Sequence, residues 1–295
     1  LVTKNKVVGV LEVVNKKRGK FTDPDESMLT VLGAQAAVAI ENARLFQQSD
    51  LIQEFVHELR TPLASLSTAT YLLLRPEMSR EQRDQIVNNI HNETLRLNSL
   101  ASSFLDLARL ESGRVQFRKT RFSAADLMYE VRDVMMTKAQ ETNIQIRVDV
   151  PNDMPLMEAD RDKIKQVLLN LISNAIKYNR PSGYVQLACD PLPDGRWAVR
   201  VRDNGMGIPT DRLDQLFTPF ARLGAEQTEV EGTGLGLALS QRLCEAMGGA
   251  LILESTSPDG STFRVEVDGA HDPIGRLDTT GSFAVPVVEH RGAPR

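Results

Sequence analysis

His57-Glu58-Leu59-Arg60-Thr61-Pro62 sets an imidazole beside a carboxylate and places a hydroxyl four residues further on. A histidine nucleophile that accepts a phosphoryl group and later loses it needs about that arrangement. On a helix, the four-residue step puts Thr61 on the same face as His57. Read alone, the run is equally a solvated helix face, which is how His91 reads. Its meaning depends on whether the rest of the chain supplies a nucleotide site.

Three further constellations bear on that question. In Asn170-Leu171-Ile172-Ser173-Asn174-Ala175-Ile176-Lys177-Tyr178, the side chains of Asn170, Asn174 and Lys177 recur at helical spacing. Two amides and an ammonium then share one face. Amide oxygens suit a hard cation such as Mg²⁺ among phosphates, and a lysine offsets phosphate charge. A plain polar face would look the same. Asp203-Asn204-Gly205-Met206-Gly207 follows a strand-like run. Its glycines permit close backbone approach, and its carboxylate can accept a hydrogen bond from an exocyclic amine such as that of adenine. A simple turn has the same composition. Gly232-Thr233-Gly234-Leu235-Gly236-Leu237 opens a helical pattern, and a helix N-terminus offers free N–H groups to phosphates. It lacks the Lys-Ser/Thr ending of a P-loop and the flanking strand and acid of a dinucleotide fold. The stretch from Phe220 to Gly232 reads as a mobile lid over bound nucleotide.

The elements that must hold these groups are legible from periodicity. Val7 to Val14 is a β-branched run that predicts a buried strand. Thr22-Asp23-Pro24-Asp25-Glu26 marks a helix start, and Leu29, Leu32, Ala36, Ile40 and Ala43 make one stripe. The pattern continues through Leu51, Phe55, Leu59, Leu66, Ala69 and Leu73, with Pro62 as a bend. His57 lies roughly 200° round the helix from Phe55 at ~3.6 residues per turn, off the apolar stripe. A turn at Arg75 to Met78 and a Ser79/Gln82 capping box begin a second helix. Val87, Ile90, Thr94, Leu97, Ala101, Phe104 and Ala108 form its coiled-coil-like seam. Two such helices make a hairpin with apolar surface left over, which predicts a four-helix bundle by dimerisation.

After Gly113 the pattern changes. Helices are expected over 123–139, 160–178 and 234–247, and strands over 144–150, 184–189, 197–201, 250–254 and 262–267. This mixture predicts an α/β sandwich, with helices layered on one sheet. From about residue 270 no period is sustained, and the chain reads as a flexible tail or linker.

Composition narrows the classes. The 295 residues carry a net charge of -4 and no basic block, so nothing points to nucleic acid. Cys189 and Cys244 are too few for a disulfide framework or a thiolate metal site, which fits a reducing, cytosolic setting. No apolar run approaches the ~20 residues that span a bilayer, although missing upstream sequence could attach the full-length protein to a membrane.

Together and in this order, the motifs resemble those of the sensor histidine kinases of two-component signalling. His57 to Pro62 matches the phosphoacceptor motif, Asn170 to Tyr178 the asparagine motif and Asp203 to Gly207 the D-x-G-x-G motif. Phe217-Thr218-Pro219-Phe220 matches the phenylalanine motif, and Gly232 to Leu237 the second glycine motif. The resemblance covers about residues 50 to 270, and residues 1–46 resemble the end of a GAF sensor domain with its exit helix. It implies a multidomain α and α+β chain with three parts. These are a helical-hairpin dimerisation and phosphotransfer domain over 47–116, an ATP-binding α/β sandwich of the Bergerat type over 117–270, and a tail over 271–295.

The implied reaction moves the ATP γ-phosphoryl group to His57 and then to an aspartate of a response regulator receiver domain, with a homodimer as the acting unit. In that resemblance Glu58 is the general base, and Thr61 orients water for a reverse phosphatase reaction. Asn170 holds Mg²⁺, Asn174 and Lys177 contact phosphates, Tyr178 packs near the base, and Asp203 reads the adenine amine. Gly205 and Gly207 shape that site. Gly232, Thr233, Gly234, Leu235 and Gly236 cradle phosphates, with Arg222 as a further phosphate contact. An ATP-binding adaptor without catalysis and an ATP-hydrolysing relative of the same superfamily are the competing readings. The intact His57, Glu58 and Asn170 argue against the first. The second uses a glutamate where this chain has Asn170.

Overall fold

The computed structural model describes residues 1–3, 6–7, 9–17, 19–75, 77–150, 156–222 and 232–269. Its backbone contacts divide the chain into two compact units, 1–115 with 209–242, and 116–208 with 243–295.

The first unit begins with a two-residue hairpin, β1 (Val2–Thr3) against β2 (Lys6–Val7), in which Val2 pairs with Val7. The strand expected over Val7 to Val14 does not form. Residues 9–14 carry no strand, and Val10 is 88% exposed. β-Branched residues favour extended backbone, but a strand persists only with neighbours to pair and pack against. The two-residue hairpin provides too little of either.

Helix α1 runs unbroken from Asp23 to Leu73, 51 residues. At its start the Thr22 N–H and hydroxyl both donate to Asp25 Oδ2, at 2.8 and 2.7 Å, and Pro24 occupies the first turn, where no donor is lost. Pro62 is buried inside the helix without ending it. Its missing N–H leaves the Glu58 carbonyl without its helical donor. Helix α2 (Arg80–Glu111) begins with the expected capping box: Gln82 N donates to Ser79 Oγ at 3.2 Å, and Ser79 N to Gln82 Oε1 at 3.1 Å.

The two helices pack as a hairpin. Leu51 is buried on α1, Leu100 and Leu107 on α2, and the rings of Phe55 and Phe104 stack with centroids 3.9 Å apart. The buried seam of α2 therefore passes through Leu97, Leu100, Phe104 and Leu107. It shares only part of the expected stripe, and Val87 and Thr94 lie exposed. Apolar residues occupy more than one face of α2, and the hairpin covers one of them.

The second unit pairs β3 (Thr120–Phe122) with β5 (Met157–Ala159) and builds a separate five-stranded sheet. Between β3 and β5 come α3 (Ala124–Glu141) and β4 (Gln145–Asp149). Then follow α4 (Arg161–Lys177), β6 (Tyr184–Pro191) and β7 (Arg196–Asp203). The chain then passes through a 3₁₀ turn (Thr210–Gln215) in the first unit and α5 (Gly236–Ala246), most of which also lies there, before β8 (Ala250–Ser257) and β9 (Gly260–Asp268) complete the second unit. The sheet order is β4-β6-β7-β9-β8, with β4 parallel to β6 and the other pairs antiparallel.

Alternation gives this sheet one apolar face. Val185, Leu187 and Cys189 of β6, Val199 and Val201 of β7, and Val265 and Val267 of β9 are all buried. The buried stripe of α4 (Ile164, Leu168, Leu171, Ile172) packs on β6 and β7, and α3, with Leu127, Met128 and Val131 buried, packs on α4 and β4. On the other face Arg200 and Arg264 sit directly opposite each other. Glu254 lies between them, accepting from Arg200 Nε at 2.7 Å and from Arg264 Nη1 at 3.0 Å. That removes the repulsion of a like-charged cross-strand pair.

Because the Phe55–Phe104 stack joins the two helices, Phe104→Ala is expected to destabilise the hairpin by about 2 kcal/mol, less than a fully buried Phe→Ala. Urea unfolding followed by helical circular dichroism measures this, and an unchanged midpoint would contradict the assigned seam.

Candidate functional site

Helix α4 carries the asparagine motif, and its placement follows from its ends and its buried face. Asp160 caps the start: its Oδ1 accepts from Lys163 N at 3.2 Å, and its Oδ2 from Arg118 N at 2.9 Å. Val167, Leu168, Leu171, Ile172, Ala175 and Ile176 are buried against the sheet side. Asn170, Asn174 and Lys177 flank this stripe, each half-buried, so both amides and the ammonium do fall along one edge of the helix. Lys177 Nζ lies 4.9 Å from the centre of the Tyr178 ring.

The end of α4 is tied to the loop after β7. Met206 N donates to the Tyr178 carbonyl at 3.3 Å, and Asn179 Nδ2 donates to the carbonyls of Ala175 and Tyr184 at 2.9 and 3.1 Å. Asn204 Oδ1 accepts from Tyr184 N at 2.6 Å. The approach is close enough to demand glycine. A Cβ on Gly205 would sit 2.4 Å from the Tyr178 carbonyl oxygen. One on Gly207, whose φ is +69°, would sit 1.9 Å from the Ser257 oxygen.

Asp203 is the centre of this arrangement. Its Oδ1 accepts from Gly205 N at 2.8 Å and from Ser261 N at 3.3 Å. These bonds fix the carboxylate and leave Oδ2 with no hydrogen-bond partner among the described residues. Burial pushes the Asp203 carboxyl above the usual aspartate range. The two backbone donors and the charge of Arg180 pull the other way, without cancelling it. A fixed, partly desolvated acceptor of this kind favours a ligand N–H, because an unmatched ligand leaves it unpaired.

In the first unit, Phe220 and Gly234 join the phenylalanine and glycine motifs. Phe220 N donates to the Gly234 carbonyl at 3.0 Å, and both residues have positive φ, 64° and 69°. A Cβ on Gly234 would lie 2.5 Å from the Phe220 carbonyl carbon. Thr233 Oγ1 accepts from Leu235 N at 3.4 Å, Leu235 is buried, and α5 starts at Gly236, two residues later than expected. Gly232 is the first described residue before them. Arg222 is half-buried. The expected lid falls largely on 223–231, outside the described residues, as does the tail from 270 onward. On α1, His57 and Thr61 are exposed and Glu58 is half-buried.

Sequence reading missed Asn179, Arg180, Asn204, Gly260 and Ser261, which build the surroundings of Asp203. The Asp259-Gly260 pair signals the hairpin turn between β8 and β9, but nothing local places it against Asp203. Among the described residues no cluster of three or more His, Cys, Asp or Glu could hold a metal. Any cation here would rest on the Asn170 amide oxygen, phosphates and water, a donor set that suits Mg²⁺. No helix of the described residues is long and apolar enough to cross a membrane.

Residues 47–113 match the family described as the His Kinase A (phospho-acceptor) domain. Residues 159–271 match the histidine kinase-, DNA gyrase B- and HSP90-like ATPase. The circadian input-output histidine kinase CikA of Synechococcus elongatus is 34% identical over 78% of this chain and 31% of its own length. The sensory/regulatory protein RpfC of Xanthomonas campestris pv. campestris is 32% identical over 87% of the chain and 36% of its own length. The chain thus spans about a third of the length of these relatives. The full-length structure of ShkA in complex with AMPPNP is 30% identical, with a TM-score of 0.56 over 77% of this chain and 47% of that one. Histidine kinase ThkA in complex with response regulator protein TrrA shares the fold, with a TM-score of 0.59 at 23% identity over 83% of this chain and 64% of that one.

The raised pKa of Asp203 has a sign that can be tested. A carboxyl whose folded-state pKa is raised stabilises the fold below its unfolded pKa, and that contribution is lost as pH rises through the folded value. At pH 7 the ionised Asp203 therefore works against folding. Asp203→Asn is expected to melt higher than the parent at pH 7, with the gap closing as pH falls and Asp203 takes up its proton. It is also expected to bind ATP at least about tenfold more weakly, as loss of a charged hydrogen-bond acceptor implies. Differential scanning fluorimetry across pH and calorimetric titration measure the two effects, and a lower melting point at pH 7 would contradict the assignment.

Proposed function

Because the chain belongs to the histidine kinases through its phosphoacceptor and ATPase domains, we propose that it phosphorylates its own His57 from ATP and passes the phosphoryl group to an aspartate of a response regulator. Residues 47–116 act as the dimerisation and phosphotransfer domain and 117–270 as the ATP-binding domain. Residues 1–46 are the end of a GAF-like sensor.

In the first step the lone pair of one His57 ring nitrogen forms the N–P bond, the bond from the γ-phosphorus to its bridging oxygen breaks, and ADP leaves. Glu58 takes the proton from the other ring nitrogen. Asp203 accepts the adenine amine through Oδ2, and Tyr178 packs near the base. Asn174 and Lys177 contact phosphates. Gly232, Thr233, Gly234, Leu235 and Gly236 present backbone N–H groups to them, with Arg222 as a further contact. Asn170 would hold Mg²⁺, and a cation there would supply charge neutralisation for the phosphates. Thr61, one turn after His57, orients water in a reverse phosphatase reaction.

The observation that carries this reading is that one chain holds both a solvent-facing histidine on a helical hairpin and, in its other unit, a fixed, partly desolvated carboxylate acceptor beside the asparagine motif. The proposed partners are a second copy of this chain and a receiver domain. The exposed Val87, Leu95 and Leu105 of α2 are apolar surface that a second hairpin would cover. The proposed site of the reaction is the cytoplasm, where ATP is supplied.

Incubation with γ-labelled Mg-ATP is expected to give an acid-labile, base-stable phosphoprotein, and His57→Gln is expected to remove the label. Full labelling of that variant would sink the assignment. A purified receiver domain that draws label from the parent chain completes the test.

A further inference from the structure

Three segments meet around Asp203, and one side chain that the reaction does not use spans all of them. Arg180 stands just past the end of α4. Its Nη2 donates to the Gly205 carbonyl at 2.8 Å and to the Pro258 carbonyl at 2.9 Å, and the same nitrogen lies 3.7 Å from Asp259 Oδ1. One guanidinium nitrogen carries two N–H groups, so both carbonyls can be served at once. Each carbonyl belongs to a segment that also supplies a donor to Asp203. Gly205 gives its own N–H to Oδ1, and Ser261, on β9 just past the turn that holds Pro258, gives the other.

We propose that Arg180 is a positioning residue for adenine recognition, clamping the loop after β7 to the β8–β9 turn so that both backbone donors hold Asp203 with Oδ2 toward the base. This rests on the nucleotide reading above. Arg180 touches no reacting atom and reads nothing itself. Its backbone is fixed independently, since Arg180 N donates to Asn179 Oδ1 at 2.9 Å, which leaves the side chain free to bridge rather than to cap.

The clamp is not the sole tie between these segments. The Met206–Tyr178 bond, the Asn204–Tyr184 pair and the Gly260 approach, where a Cβ would lie 2.1 Å from the Asp203 carbonyl oxygen, all remain without it. What changes without Arg180 is the precision of Oδ2. A misaimed acceptor loses affinity for a base that offers an amine, and little for one that does not.

The test is calorimetric titration of the whole chain with ADP and with inosine diphosphate, which carries a carbonyl where ADP carries the exocyclic amine. The parent chain is expected to prefer ADP. In Arg180→Met, ADP binding is expected to fall about threefold to tenfold, the effect of one or two partly exposed hydrogen bonds. Inosine diphosphate binding should stay within about twofold, so selectivity contracts. Arg180→Lys, which keeps the charge but not the planar guanidinium fork, should fall between them. An unchanged selectivity ratio in Arg180→Met overturns the clamp and leaves the nucleotide reading intact. A parallel loss for both nucleotides with a lower melting point also overturns it, by making Arg180 merely structural. A parent chain that binds neither nucleotide overturns the nucleotide reading itself, and the clamp with it.

Discussion

The Asp203 carboxylate, held by the N–H groups of Gly205 and Ser261 and partly withdrawn from water, is the interaction on which the second unit is organised. A buried charge is tolerated only where hydrogen bonds replace lost solvation. Here the replacements come from two chain segments far apart in sequence, the loop after β7 and the start of β9. Both must approach closely, so Gly205, Gly207 and Gly260 stand where any Cβ would strike backbone. The compensation is incomplete, and a carboxyl with its pKa still raised is an acceptor that a ligand can stabilise.

Helix α1 handles the other half of the chemistry in a different way. Its 51 residues place His57 by continuity rather than by a pocket. Phe55 packs on Phe104 and Leu51 is buried, so the face two residues beyond Phe55 turns outward, and His57 is exposed, as the proposed phosphoryl acceptor needs to be. A side chain on a rigid helix keeps its direction better than one on a loop. Pro62 removes the helical donor of the Glu58 carbonyl without ending the helix, which gives the segment around His57 one fewer backbone bond than its neighbours.

Periodic elements are legible in the sequence because their signals are local. The amphipathic stripe that predicts a helix over 160–178 yields α4 from Arg161 to Lys177, and the structure adds Asp160 as its cap. The strand expected from Tyr184 continues to Pro191, and the Ser79/Gln82 box forms as its residue types require. The three-residue strands β3 and β5 are too short to show any alternation. Val7 to Val14 has strand composition without enough partners to pair with. Gly207 is recognisable as a glycine of a motif, but its reason, the Ser257 carbonyl, lies across the sheet. The same holds for Arg180, whose two acceptors come from separate loops. Long-range approach of this kind leaves no trace in local spacing.

The central claim is that Asp203 is a partly desolvated acceptor completed by the nucleotide base. Carbon-detected NMR titration of the Asp203 side-chain carboxyl, with and without ADP, tests this most directly. In the free chain the carboxyl should titrate above the ordinary aspartate range. With ADP bound, the amine stabilises the ionised form and the midpoint should move down. Identical titration curves in the two states, with ADP demonstrably bound, would contradict the account.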